Sequence, residues 1–64
     1  METKSAIIAD FKDSDRSPAA TVSALTRWLT AGHGETEMFK FIPGITPGVL
    51  LAAQEEVAHA EFAN

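Results

Sequence analysis

Glu56 and His59 are the pair of side chains whose spacing most resembles a metal site. They stand three residues apart, which is how carboxylate-bridged di-iron bundles aim a carboxylate and an imidazole from one helix. Such sites need four helices and further inward glutamates. The two residues also fall on the polar side of the helix predicted around them, so we expect a solvated face here and no metal.

His33 is the second candidate for chemistry, because it lies between Gly32 and Gly34 in a loop. A general base needs an orienting carboxylate and a reactive group within reach. Glu35 is near in sequence, but no serine stands in a context that predicts an activated nucleophile. We expect no catalysis, although one alternative stays open: a small oligomeric enzyme with an inter-subunit site around His33 or around Glu56 and His59.

The remaining polar motifs do not predict a bound ion or cofactor. Asp13, Asp15 and Ser17 have the spacing of the first ligands of a calcium loop. Pro18 stands where that loop needs glycine, and Ala24 stands where it needs a bidentate glutamate. No glycine cluster forms a phosphate-binding loop, so we expect no metal, nucleotide or other cofactor.

Size and composition restrict the classes of function further. The chain has 64 residues and no cysteine, which predicts one domain over 1–64 with a marginal core and no disulfide. The formal net charge is −4, so we expect a protein partner with a basic surface and no nucleic acid; mimicry of nucleic-acid charge would call for a larger negative charge. Neither a signal segment nor an 18-residue apolar stretch occurs, which predicts a cytoplasmic protein and no membrane partner.

Two short segments alternate in the manner of strands. Ile7, Ala9 and Phe11 share one face of a strand over residues 5–12. Phe39 and Phe41 lie two apart in a segment over residues 36–42 that ends at a Pro-Gly pair. Both segments are therefore predicted to be strands.

Two longer segments have helix signals. Ser17 before Pro18 is a typical N-cap, and Val22, Leu25 and Leu29 recur at helical spacing up to Gly32. Thr46 precedes Pro47 in the same way, and the alanine-rich run over residues 49–62 has high helix propensity. The predicted fold is an α+β domain of order β-α-β-α, two strands packed against two helices and completed by dimerisation. The predicted core consists of Ile7, Phe11, Val22, Leu25, Leu29, Phe39, Phe41, Leu50, Ala53 and Val57.

The second predicted helix has two apolar sectors. One contains Val49, Leu50, Ala53, Val57 and Ala60, and the other contains Leu51, Ala58 and Phe62. A helix packed on one sheet needs a single apolar sector. The second sector therefore either widens the core or forms an interface with another copy, and we predict a homo-oligomer through Leu51, Ala58 and Phe62.

The polar side of this helix is the predicted surface for a partner. Acidic residues continue to its C-terminal end, where the helix dipole favours cations, and no lysine or arginine lies within it. We therefore expect a non-catalytic protein-binding module: an adaptor, an inhibitor or an accessory factor. The predicted contact residues are Glu55, Glu56, His59, Glu61 and Trp28.

Overall fold

The regular elements in the described part of the protein are all α-helices. A computed structural model describes residues 2–63, and within them there is no strand. The helices are α1 (Lys4–Asp13), α2 (Pro18–Thr30), α3 (Glu35–Phe41) and α4 (Pro47–Ala63). The predicted α+β fold of order β-α-β-α is therefore wrong.

α1 replaces the strand expected over residues 5–12. Thr3 caps the helix, its Oγ1 accepting a hydrogen bond from the Ala6 amide at 3.1 Å. Ile7 and Phe11 are both buried. Because residues four apart lie on one side of a helix as well as on one side of a strand, these two side chains satisfied both patterns. The cap at Thr3 decides between them.

α3 replaces the strand expected over residues 36–42. Gly34 is its N-cap, Glu35 and Glu37 lie in its first turn, and Lys40 lies in its last turn. Acidic residues near the N-terminus and a basic residue near the C-terminus interact favourably with the helix dipole, so this order of charges stabilises a short helix. The charges at both ends of the segment were the helix signal that the alternating phenylalanines obscured.

α2 and α4 confirm the two helix predictions. Ser17 Oγ accepts from the Ala20 amide at 3.1 Å, with Pro18 at the first helical position. Thr46 Oγ1 accepts from the Val49 amide at 3.1 Å in the same way. After α2 the chain turns at Gly32, whose φ of +82° is a conformation that a side chain would strain.

The core forms around α2, on which each of the other three helices packs, α4 most extensively. Ile7, Phe11, Leu25 and Ala53 are buried as predicted, but Phe39 and Phe41 are 51% and 42% exposed, so their place in the predicted core is wrong. The remaining four predicted core residues, Val22, Leu29, Leu50 and Val57, are half-buried. Buried residues outside the predicted core are Thr21, Ala24, Trp28, Met38 and Ile42.

None of the helices in the described part of the chain is long and apolar enough to cross a membrane.

Candidate functional site: the outward face of α4

α4 carries apolar side chains on two opposite faces. Ala53 is 0% exposed and marks the face packed on α2. At 100° per residue, Leu51, Ala58 and Phe62 lie within about 40° of the direction opposite to Ala53. We call these three residues the outward stripe. Leu51 is 56% exposed, Phe62 is 90% exposed and Ala58 is exposed, so the second apolar sector does not widen the core.

Polar residues border the outward stripe on both sides. By the same helical geometry, Glu55 and His59 lie along one side and Glu61 lies along the other, next to Gln54. All four side chains are exposed. Glu55, His59 and Glu61, three of the residues predicted for partner binding, therefore share one surface with the residues predicted for an oligomer interface, and this surface has an apolar centre and an acidic border.

Glu56 lies further round the helix, towards α2. Its side chain and Arg27 of α2 line a shallow groove between the two helices. Glu56 is exposed, but it is farther from the outward stripe than Glu55 is. It therefore belongs to the edge of the surface.

The charges of α4 are distributed differently from those of the other described helices. α1, α2 and α3 each have a basic residue in the last turn, at Lys12, Arg27 and Lys40, whereas α4 has none. None of the ion pairs found within residues 2–63 involves α4. Its first half is uncharged and its acids all follow Gln54. The acidic side chains of α4 thus form no salt bridge in the described part of the chain.

Trp28, which was expected to contact a partner, is instead at the centre of the core. It is 0% exposed, and its Nε1 donates a hydrogen bond to the Gly34 carbonyl at 2.9 Å. The ring of His33 packs against it edge to face with centroids 5.3 Å apart, and Lys4 Nζ lies 6.0 Å from the indole centroid. In this fold the indole holds the loop after α2 and is not available to another protein.

His33 is held by the N-terminal segment. Its Nε2 lies 2.9 Å from the Glu2 carbonyl oxygen, and its ring also contacts the Trp28 indole. Glu56 and His59 lie on α4, which α3 separates in sequence from the His33 loop. Within the described residues, no group of three or more histidines and carboxylates could hold a metal ion.

A cluster of ion pairs fastens α1 to α2 and α3. Arg27 binds the Glu2 carboxylate through its Nε and Nη2, and its Nη2 also lies 2.7 Å from Asp10 Oδ2. These hydrogen bonds lower the pKa of Glu2 and raise the pKa of Arg27. Lys4 Nζ lies 2.7 Å from Glu37 Oε2. Arg27, which lines a surface depression of about 560 Å³, is therefore already engaged by carboxylates.

Phe39 and Phe41 are exposed aromatic residues that sequence reasoning placed in the core. Lys40 Nζ lies over the Phe41 ring, 5.5 Å from its centroid, so the lysine side chain partly covers that ring. The four-residue spacing of Met38 and Ile42 is the sequence signal that predicts the exposure of the two phenylalanines. Because Met38 and Ile42 are both buried on one side of the helix, Phe39 and Phe41 lie away from the core.

All large apolar side chains that are exposed in the described part of the chain lie on α3 and α4: Phe39, Phe41, Leu51 and Phe62. Exposed apolar patches on small proteins commonly mark interaction surfaces. Comparison of the chain with protein-family models, with curated proteins and with solved structures finds no match in any of the three.

Proposed function

We propose that this protein is a non-catalytic protein-binding module, an adaptor, an inhibitor or an accessory factor, that docks through the outward face of α4. One observation carries the proposal: α4 buries one apolar face on α2 and leaves a second one open, with Phe62 90% exposed. A surface helix of a monomer needs only one apolar face. A second one is explained by a partner.

The size of the outward stripe limits the binding free energy that its burial can provide. Full burial of a side chain such as Leu51 or Phe62 gives about 1.5–3 kcal/mol each. Association costs about 4 kcal/mol or more in lost translational and rotational freedom. The stripe alone is therefore too small for stable binding, and the polar border must contribute contacts as well.

The border favours a basic partner. Glu55, Glu56 and Glu61 are exposed, and no lysine or arginine of α4 neutralises them. A polypeptide with an apolar strip flanked by lysine or arginine would match both parts of the surface. The net charge of −4 supports a basic protein over nucleic acid as the partner. A cytoplasmic location and the absence of a cofactor are parts of the same proposal.

The contribution of the outward stripe to binding is tested by cross-linking capture from the native cell, followed by mass spectrometry. Leu51→Glu/Phe62→Glu should lose the captured partner while keeping its helical circular dichroism, because both positions are exposed. Phe39→Glu is the control, since Phe39 is an apolar residue on another helix and its exposure of 51% is close to the 56% of Leu51. Equal capture by the double variant and the wild type would contradict the proposal.

The charged part is tested by a second pair of variants. Glu55→Lys/Glu56→Lys should bind more slowly than the wild type, most clearly at low salt, because the charges that steer the partner are reversed. Asp13→Lys/Glu35→Lys makes the same change in net charge on α1 and α3 and should bind normally. If both double variants lose binding equally, the effect comes from net charge and not from the α4 surface.

A further inference from the structure

We propose that a groove between the starts of α2 and α4 binds a small monocarboxylate with an apolar body, such as an aryl-substituted short-chain carboxylic acid. The groove has a volume of about 350 Å³, which falls within the range of about 300–1,000 Å³ that is typical of small-molecule sites. None of the outward stripe lines it. This site therefore goes beyond the proposed function and is tested separately from it.

The floor and walls of the groove suit an apolar ligand body. Phe11 of α1 and Thr21 of α2 are its most buried lining residues, 5% and 3% exposed, and form its floor. The Thr21 hydroxyl donates a hydrogen bond to the Ser17 carbonyl oxygen at 3.0 Å, so its proton is already used. Pro43 and the half-buried Val49 add apolar surface to the walls. A ligand can bury apolar area here without breaking a hydrogen bond of the protein.

Arg16 is the charged residue of the groove. In the described part of the chain its guanidinium forms no ion pair, whereas that of Arg27 is held by two carboxylates. Asp15, the carboxylate next to Arg16 in sequence, accepts a hydrogen bond from the Ser17 amide at 2.9 Å instead. A guanidinium binds a planar carboxylate through two parallel hydrogen bonds. Charge complementarity at the edge of an apolar groove therefore selects an apolar carboxylate as the ligand.

The backbone at Arg16 has a conformation that arginine rarely adopts. Its φ is +56°, and among the described residues no other residue except glycine has a positive φ. The Arg16 amide donates a hydrogen bond to Ser14 Oγ at 3.1 Å, which holds the turn in place. Glycine or asparagine would fit this position with less strain. An arginine here is explained by a role for its guanidinium, since strained residues cluster at ligand sites.

The electrostatics of the groove favour an anion with a single charge. Pro18, the first residue of α2, and Thr46, which caps α4, both line the groove, so the positive ends of two helix dipoles add to the charge of Arg16. One guanidinium matches one carboxylate. The net charge of −4 opposes anions of higher charge, such as nucleotides. The ligand class is therefore a monocarboxylate.

The site is tested by adding hydrocinnamate to isotope-labelled protein, up to about 10 mM, and following the amide NMR signals. We expect saturable shifts of the Thr21, Gly44 and Val49 amides, with a Kd of about 1 mM or below. Acetate, which lacks the apolar body, and hydrocinnamyl alcohol, which lacks the charge, should each bind at least about tenfold more weakly. The absence of saturable shifts, shifts centred on Phe39 and Phe41 instead, or equal binding of the alcohol overturns the proposal.

Arg16→Asn separates the loss of the guanidinium from damage to the fold. Asparagine tolerates the left-handed conformation, so this variant should keep or raise the Tm of the wild type while binding hydrocinnamate about tenfold more weakly. Lys12→Gln is the matched control, because it removes one positive charge from an exposed position of α1 outside the groove, and it should bind normally. Equal binding by Arg16→Asn and the wild type, or an equal loss in both variants, overturns the proposal.

The groove and the docking surface of α4 fail in different ways. Leu51→Glu/Phe62→Glu should bind hydrocinnamate like the wild type, because neither residue lines the groove. Loss of hydrocinnamate binding in that variant places the ligand on the outward stripe and overturns the groove as the site. Normal hydrocinnamate binding together with unchanged capture of a protein partner contradicts the proposed function and supports the groove.

Discussion

The alanine-to-leucine substitution should have different effects on stability on the inward and outward faces of α4. Ala53 is 0% exposed against α2, whereas Ala58, five residues later, is exposed. Ala53→Leu adds three carbons to a packed contact, which we expect to lower the free energy of unfolding by about 1–3 kcal/mol. Ala58→Leu should change it by less than about 0.5 kcal/mol. A 64-residue domain has a total of about 3–10 kcal/mol, so the first variant is severely weakened.

The measurement is urea unfolding followed by the fluorescence of Trp28, the one tryptophan in the chain, which is buried in the folded state. Low protein concentration keeps self-association from adding to the stability of either variant. A loss of about 2 kcal/mol corresponds to a fall of about 8–16 °C in Tm for a domain of this size. If Ala58→Leu destabilises as strongly as Ala53→Leu, then the outward face of α4 is packed and the proposed docking surface loses its basis.

Three further outcomes are expected. Trp28→Phe loses the hydrogen bond to Gly34, worth about 1 kcal/mol, and some apolar area, so circular dichroism should show a lower Tm. The hydrogen bond from Lys4 holds the pKa of Glu37 below its ordinary 4.5. In urea titrations the wild type should therefore be more stable than Glu37→Gln at pH 7, and this difference in stability should disappear as the pH falls below 4.5. Gly32→Ala should cost about 1 kcal/mol because Gly32 has φ of +82°, whereas Gly34→Ala, at negative φ and with open space around its Cα, should be nearly neutral.

The sequence predicted α2 and α4 because their signals are local. Ser17 with Pro18 and Thr46 with Pro47 start a helix by capping, whatever packs against it later. α1 and α3 were predicted as strands because their apolar residues recur at spacings that fit either structure. Where both periods fit, the ends of the segment distinguish the two structures: Thr3 caps α1, and α3 has acidic residues in its first turn and a basic residue in its last turn.

The α4 surface was predicted in part. Its two apolar sectors follow from the helical period alone, but which of them is exposed depends on how many neighbours α4 has. Only the fold shows that α4 packs on α2 with one side. For the same reason Trp28 could not be placed from sequence, because α2 has three helices around it and therefore a wide buried sector.

The central position of α2 also determines how the molecule can open. α3 has seven residues and buries Met38 alone within its bounds, so it can detach while the rest of the fold persists. α2 cannot detach in this way, because each of the other helices packs on it. Amide hydrogens of α3 should therefore exchange with solvent through brief local opening. Those in the middle of α2 should exchange only when the whole chain unfolds, and their exchange rates measure its global stability.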